Sequence, residues 1–259
     1  GAQRHGAVAQ GDAERLRAGL QPAAPVADRP RQAPSTAADA RAPLMTVPPE
    51  LLARLDDAPD AAFYSLPRLV THLDAPSLAA LTDFYAEQLT VAQDVLDLMS
   101  SWVSHLPSGL ALGHVAGLGM NSAELAANPR LTERVVQDLN ADPRLPWPDG
   151  RFDAVLNALS IQYLTRPLEV YAEVARVLRP GGVAIIAHSH RCFPTKAVRA
   201  FRDFPPADRL RLCAHYLDQT GAFGPPDLAD RSVPGADPLW IVFARRNPAP
   251  APGTAQVSQ

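Results

Sequence analysis

The apolar positions of this chain follow two different periods. Over residues 77–89 the apolar side chains Leu78, Leu81, Phe84, Tyr85 and Leu89 recur at helical spacing, so one side of that helix faces a core. Ahead of it, residues 47–73 set Pro48, Pro49, Pro59 and Pro67 between short apolar groups. That spacing predicts two brief helices, near 49–55 and 67–73, with proline in the first turn. From residue 95 onward, short apolar runs (95–99, 115–118, 135–136, 152–156 and 183–187) alternate with helical stretches at 123–127 and 167–178. Strands buried on both faces read as continuous apolar runs, and their alternation with helices implies a parallel sheet. The sequence Arg179-Pro180-Gly181-Gly182 supplies a helix stop. Residues 194–204 and 206–219 read as one helix broken at Pro205-Pro206, or as two, and 239–244 as a closing strand. The pattern predicts an α/β fold, a doubly wound, mostly parallel sheet of about seven strands, Rossmann-like, without internal repeats.

Composition narrows the setting. The chain has 259 residues, is 47% apolar and carries a formal net charge of -3, with no local run of Lys or Arg. That excludes a broad basic face for nucleic acid. No apolar run approaches the ~20 residues of a membrane span. The two cysteines, Cys192 and Cys213, lack the neighbours of a zinc site or a disulfide framework. They read as free thiols, and no metal is expected. Residues 1–45 form an Ala/Pro/Arg/Gln-rich stretch read as a disordered tail, and 247–259 read the same way. Between them, 46–246 is expected to be one domain, with N-terminal helices over 46–90. The first stretch lacks the apolar centre of a secretory signal, and its scattered acids speak against a transit peptide. A cytoplasmic location is expected, or an organelle such as the chloroplast if the tail is the remnant of a transit peptide.

In an open parallel sheet, ligands bind beyond the carboxyl ends of the strands at the topological switch point. Small or polar residues cluster there: Ser100 and Ser101, Gly119 and Asn121, Asp138, Asn157 and Ala158, with apolar Met120 and Leu139 placed to flank a base. Asp138 precedes Leu145-Pro146-Trp147-Pro148-Asp149-Gly150-Arg151-Phe152-Asp153-Ala154-Val155. Tyr163-Leu164 follows, and then Glu173-Val174-Ala175-Arg176-Val177-Leu178-Arg179-Pro180-Gly181-Gly182. These segments resemble the class I S-adenosylmethionine-dependent methyltransferases, in particular their type 11-like branch.

The resemblance implies a cofactor, S-adenosylmethionine, and a set of positions for it. Asp97 is the acid of the first strand motif. Met99, Ser100 and Ser101 form the turn that wraps the amino-acid end of the cofactor. Gly119, Met120 and Asn121 follow the second strand, where the ribose is held. Asp138 and Leu139 meet the adenine. Asn157 and Ala158 lie near the reacting methyl. Two positions depart from the family. Its first loop is glycine-rich so that the backbone can turn sharply and approach the cofactor, whereas this chain reads Asp97-Leu98-Met99-Ser100-Ser101-Trp102-Val103. The acid that grips the ribose falls on Gly119, a loss of roughly 1.5–3 kcal/mol of charge-assisted hydrogen bonding. Asn121-Ser122-Ala123-Glu124 reads as a capping box, with Asn121 as N-cap and Glu124 reaching back.

The expected reaction is methyl transfer to a small-molecule acceptor. A non-catalytic binding or regulatory protein of the same fold is the alternative. A nicotinamide oxidoreductase is disfavoured because no Gly-x-Gly-x-x-Gly follows a strand. Candidate catalytic side chains are Tyr163, after the fourth strand, and His188 and His190, which alternate at the end of the fifth and are both placed to face the crevice. Gln162 and Arg191 stand beside them. Arg191, Lys196, Arg199 and Arg202 read as a solvated basic face, and Trp102 as a packing residue of the loop. The N-terminal helices, with Tyr64, His72 and Tyr85, are expected to fold over the site as a lid.

Overall fold

The computed structural model describes residues 47–248, so the tail expected over 1–45 and most of that over 247–259 lie outside the described residues. The chain order is α1 (Pro49–Leu52), α2 (Asp60–Phe63), α3 (Ala75–Gln88), β1 (Val95–Leu98), β2 (Val115–Gly119), α4 (Ser122–Ala127) and β3 (Glu133–Val136). Then follow β4 (Phe152–Ala158), a 3-10 turn (Ile161–Tyr163), α5 (Pro167–Val177), β5 (Leu178–His188), α6 (Arg199–Asp203), α7 (Pro206–Asp218), β6 (Asp227–Asp230) and β7 (Trp240–Arg245).

The strands form one seven-stranded sheet in the order β3-β2-β1-β4-β5-β7-β6. Strands β1 to β5 are parallel, and β7 runs antiparallel to both β5 and β6. The order reverses between β1 and β4, which puts the switch point, and with it the crevice, at their carboxyl ends. Alternation along β1 explains why the whole strand is buried. Leu96 and Leu98 pack into a cluster with Val170, Tyr171 and Val174 of α5 and Leu212 and Tyr216 of α7. Val95 packs on the opposite face with Leu81, Phe84 and Tyr85 of α3. The sheet is therefore covered on both sides, as continuous apolar strands require.

Several expectations change. Residues 67–73 are not helical; the second short helix is α2, and the chain from 64 to 74 crosses the carboxyl end of the sheet without regular structure. Its backbone groups bond outward instead of along a helix: the Arg68 amide donates to Glu124 Oε1 at 2.7 Å, and the Val70 carbonyl accepts from Trp102 Nε1 at 3.0 Å. Pro67 also disfavours helical geometry at the residue before it. Helix is confined to Arg199–Asp203 within the stretch 194–204. The helix stop falls earlier than residues 179–182: α5 ends at Val177, and Leu178 already pairs with Phe152. Gly181, at φ +80°, lies where the β4–β5 register shifts. The exposed edge strand β6, with acids at both ends, had no apolar run to mark it.

Candidate functional site

The loop after β1 makes a glycine-type bend without glycine. Met99 takes φ +57°, a left-handed conformation that a side chain seldom adopts, and His105 (+54°) and Leu159 (+57°) do the same. All three line one cavity. Strain of this kind persists where surrounding contacts over-determine the backbone, and here those contacts are polar and buried. Asp97 Oδ2 accepts from Ser100 Oγ at 2.5 Å and from Ser104 Oγ at 2.6 Å. Asn128 Nδ2 donates to the Ser101 carbonyl at 2.9 Å and to Ser104 Oγ at 2.8 Å. Ser101 Oγ donates to Glu124 Oε2 at 2.6 Å. The same loop explains Gly119: a Cβ there would lie 2.2 Å from the Ser100 carbonyl oxygen, so no acid can stand at that position. Glu124, in the first turn of α4, brings a carboxylate to the cavity instead.

The cavity sits over the carboxyl ends of β1, β2 and β4 and has about 1060 Å³ of non-atom space, part of it open to solvent. Its floor includes Asp97, Met99, Leu118 and Ala158, one side holds Met120, Asp138 and Leu139, and its roof is the 64–74 strap with Tyr64, Arg68, Val70 and His72. Hydrogen bonds pin the strap along its length: the Arg68 and Val70 bonds described above, Asn121 Nδ2, which donates to the Tyr64 carbonyl at 2.9 Å and the Ser65 carbonyl at 3.3 Å, and the Asp74 amide, which donates to Asp237 Oδ2 at 2.9 Å. A buried ionic cluster fastens its upstream end. Arg54 Nη1 lies 2.7 and 2.8 Å from the two Asp60 carboxylate oxygens, and Lys196 Nζ pairs with Asp60 Oδ1 at 3.2 Å and Asp56 Oδ2 at 3.1 Å. The Lys196 side chain is fully buried, so it is no part of a solvated basic face.

Residues 100–186 match the methyltransferase domain family. Among solved structures, a methyltransferase from Aquifex aeolicus described as SAM-dependent aligns at 16% identity over 66% of this chain and 91% of its own, with a TM-score of 0.49. An S-adenosylmethionine-dependent methyltransferase from Mesorhizobium loti aligns at 16% identity over 65% and 98%, with a TM-score of 0.45. Phosphoethanolamine N-methyltransferase 2 of Haemonchus contortus, in complex with S-adenosyl-L-methionine, aligns at 16% over 67% and 52%, with a TM-score of 0.47. No curated protein matches the chain.

Of the positions singled out in the sequence, Asp97, Met99, Ser100, Ser101, Gly119, Met120, Asp138, Leu139, Ala158 and Tyr163 come together around the cavity. Four do not line it. Asn121 is spent as the N-cap of α4, its Oδ1 accepting from the amides of Ala123 and Glu124. Asn157 is buried behind the floor, accepting from Ser160 Oγ at 2.7 Å. His188 is enclosed between the rings of Phe201 and Trp240, with both ring nitrogens unpartnered. Burial, with the Arg209 charge nearby, pushes its pKa down to about 4. His190 is half exposed at the surface, 3.7 Å from Asp237. The fold thus does not bring the two strand-end histidines to the crevice. Glu124 does not reach back to its N-cap either; its oxygens take the Ser101 hydroxyl and the Arg68 amide. Gln162 is buried and donates to the Leu159 carbonyl, and Arg191 pairs with Asp237 at 2.8 Å. Tyr85 belongs to the core beneath α3.

The cavity of the domain holds residues that the sequence did not mark as site groups: Arg68, His105, Glu124 and Phe193, joined by His72 and Tyr64 of the expected lid. Burial lowers the pKa of His72, against a raising influence from Glu124. Burial, then the charge of His72, pushes His105 down to about 4. Both imidazoles are therefore neutral at pH 7. Tyr163 accepts a hydrogen bond from the Phe193 amide at 2.9 Å, and burial pushes its phenol up to about 12. Its hydroxyl keeps its proton and remains free to donate it to a bound group. Among the described residues, no cluster of His, Cys, Asp and Glu is suited to a metal ion, and no helix is long and apolar enough to cross a membrane.

Proposed function

We propose that this chain binds S-adenosylmethionine in the cavity and promotes methyl transfer to a small-molecule acceptor that enters beneath the strap. The reading is carried by one observation: nine of the eleven cofactor positions implied by the family resemblance surround one cavity at the switch point of the sheet.

The chemistry of the lining fits such a molecule. Asp138 and Leu139 would take the adenine. Glu124 would offer the ribose a carboxylate in place of the acid that Gly119 cannot carry; two of its roughly four acceptor sites are in use. Met99, Ser100, Ser101 and Ala158 would surround the amino-acid end. The acids facing the cavity also suit a positively charged sulfonium, whereas neutral His72 and His105 add no opposing charge. When bound, the cofactor supplies an electrophilic methyl group. The chain then contributes alignment and exclusion of water. The Tyr163 hydroxyl orients the acceptor by donating a hydrogen bond. His72, neutral and beside Glu124, is the group placed to take the acceptor's proton where its pKa demands a base, whereas His105, held near 4, is too weak a base for that. Tyr163, with its pKa raised, is a poor base at pH 7.

Calorimetric titration with S-adenosylmethionine and S-adenosylhomocysteine tests the cofactor site. Binding to the parent is expected, weakened at least tenfold by Asp138→Ala. If neither compound binds the folded parent, the proposal is wrong.

A further inference from the structure

We infer that the acceptor carries an oxyanion group, a carboxylate or a phosphate, held by Arg68; this rests on the acceptor entering the cavity described above. The guanidinium of Arg68 lies 4.4 Å from the centre of the Phe63 ring, 5.6 Å from Phe193 and 5.9 Å from Tyr64. These rings fix the cation in place, since arginine stacks on aromatic faces. Contacts with ring faces hold the cation without using its N–H groups as donors to an oxygen, and so leave them for other partners. Yet no carboxylate among the described residues pairs with it. Among the described residues its side chain makes one hydrogen bond, from Nη1 to the Leu66 carbonyl, stretched to 3.5 Å at the weak end of the range.

The contrast with the other arginines near this site is instructive. Arg54 is spent on Asp60, Arg191 on Asp237, and Arg199 on Asp203. Arg68 alone among these four lines the cavity and keeps most of its donors uncommitted. Its backbone amide is the part bound to Glu124, so the nearest acid holds the strap and does not neutralise the side chain. Phe193 ties this corner to the proposed chemistry. Its ring stacks on Tyr163 at 5.9 Å and meets His72 edge-on at 5.7 Å. An acceptor whose oxyanion sits on Arg68 would lay its body against Phe193 and Tyr64, with Tyr163 and His72 beside it. A planar guanidinium with free in-plane donors suits two-point recognition of a carboxylate or phosphate better than a point charge does.

The test uses the full chain, with and without saturating S-adenosylhomocysteine, titrated with benzoate and separately with inorganic phosphate. The parent is expected to bind at least one of them, and Arg68→Gln to bind it at least tenfold more weakly, with S-adenosylhomocysteine affinity within twofold of the parent. Arg68→Lys keeps the stem and the charge and serves if the glutamine variant does not fold. It is expected to lose several-fold in benzoate affinity and less in phosphate affinity. A preference for benzoate or for phosphate in the parent assigns the oxyanion. Equal anion binding by parent and variants, or none by the parent, overturns the inference. Should S-adenosylhomocysteine fail to bind the parent, the cofactor proposal falls, while the Arg68 comparison on the cofactor-free chain still decides this one.

Discussion

Asp97 lies beneath the loop that distinguishes this chain. Burial pushes its carboxyl up to about 6, although the hydroxyls of Ser100 and Ser104 donate to it and pull the other way. In the unfolded chain the group returns to its ordinary value of 3.8. A pKa raised on folding contributes stability below the unfolded value, and that contribution is lost as pH climbs through the folded one. At about 1.36 kcal/mol per unit, Asp97 costs the folded state about 3 kcal/mol on going from roughly pH 3 to pH 8. Asp97→Asn keeps an acceptor for both serines and removes the titration. Measured by urea unfolding, the variant is expected to gain about 3 kcal/mol on the parent across that window, because the other carboxyl groups cancel in the difference. A difference that stays flat with pH would show that Asp97 titrates alike in the folded and unfolded chains. Residue by residue, the loop was only half legible. Its lack of glycine is plain in the sequence. What sequence does not reveal is that Met99 bends as glycine would and packs against the core, with its sulfur 3.9 Å from Asn157 Nδ2.

At the level of elements, the legible parts were those whose burial is written in their composition. Strands β1, β2, β4 and β5 are apolar because both faces are covered, and α5 carries its stripe toward the sheet. The strap and the short N-terminal helices are different in kind, because their positions depend on partners far away in sequence. Nothing local in Lys196 shows that it will be buried against Asp56 and Asp60, which come from a segment about 140 residues earlier. The cluster lends itself to a graded test. Asp60→Asn leaves Arg54 with only the exposed Asp57, at 3.8 Å, and the buried Lys196 with only the partly exposed Asp56. Removing one partner of a buried ion pair costs about 3–5 kcal/mol. Lys196→Met replaces a buried cation with an apolar chain of similar length and leaves Asp60 held by both contacts to Arg54. Denaturant unfolding should rank Asp60→Asn as much the more damaging of the two. The reverse order would mean that Lys196, and not Asp60, organises the cluster.

For the molecule as a whole, the sheet provides a rigid base and the strap a cover of much lower local stability. The core clusters on both faces account for the first. The strap is held at the cavity by a few hydrogen bonds, and Leu66, Leu69 and Val70 on it stay exposed. Segments with few buried apolar contacts open locally at a fraction of the global unfolding free energy. A ligand that touches only the base would raise global stability and leave that local opening untouched, whereas one enclosed between base and strap must raise both. At a hundredfold excess over its dissociation constant a ligand adds about 2.7 kcal/mol, which for a domain of this size is a rise of roughly 5–10 °C in melting temperature. S-adenosylhomocysteine is expected to produce that rise and, with it, slower hydrogen exchange at the Arg68 amide, whose partner Glu124 lines the same cavity. A melting-temperature rise without added protection at Arg68 would place the cofactor on the base alone and deny the strap any part in enclosing it.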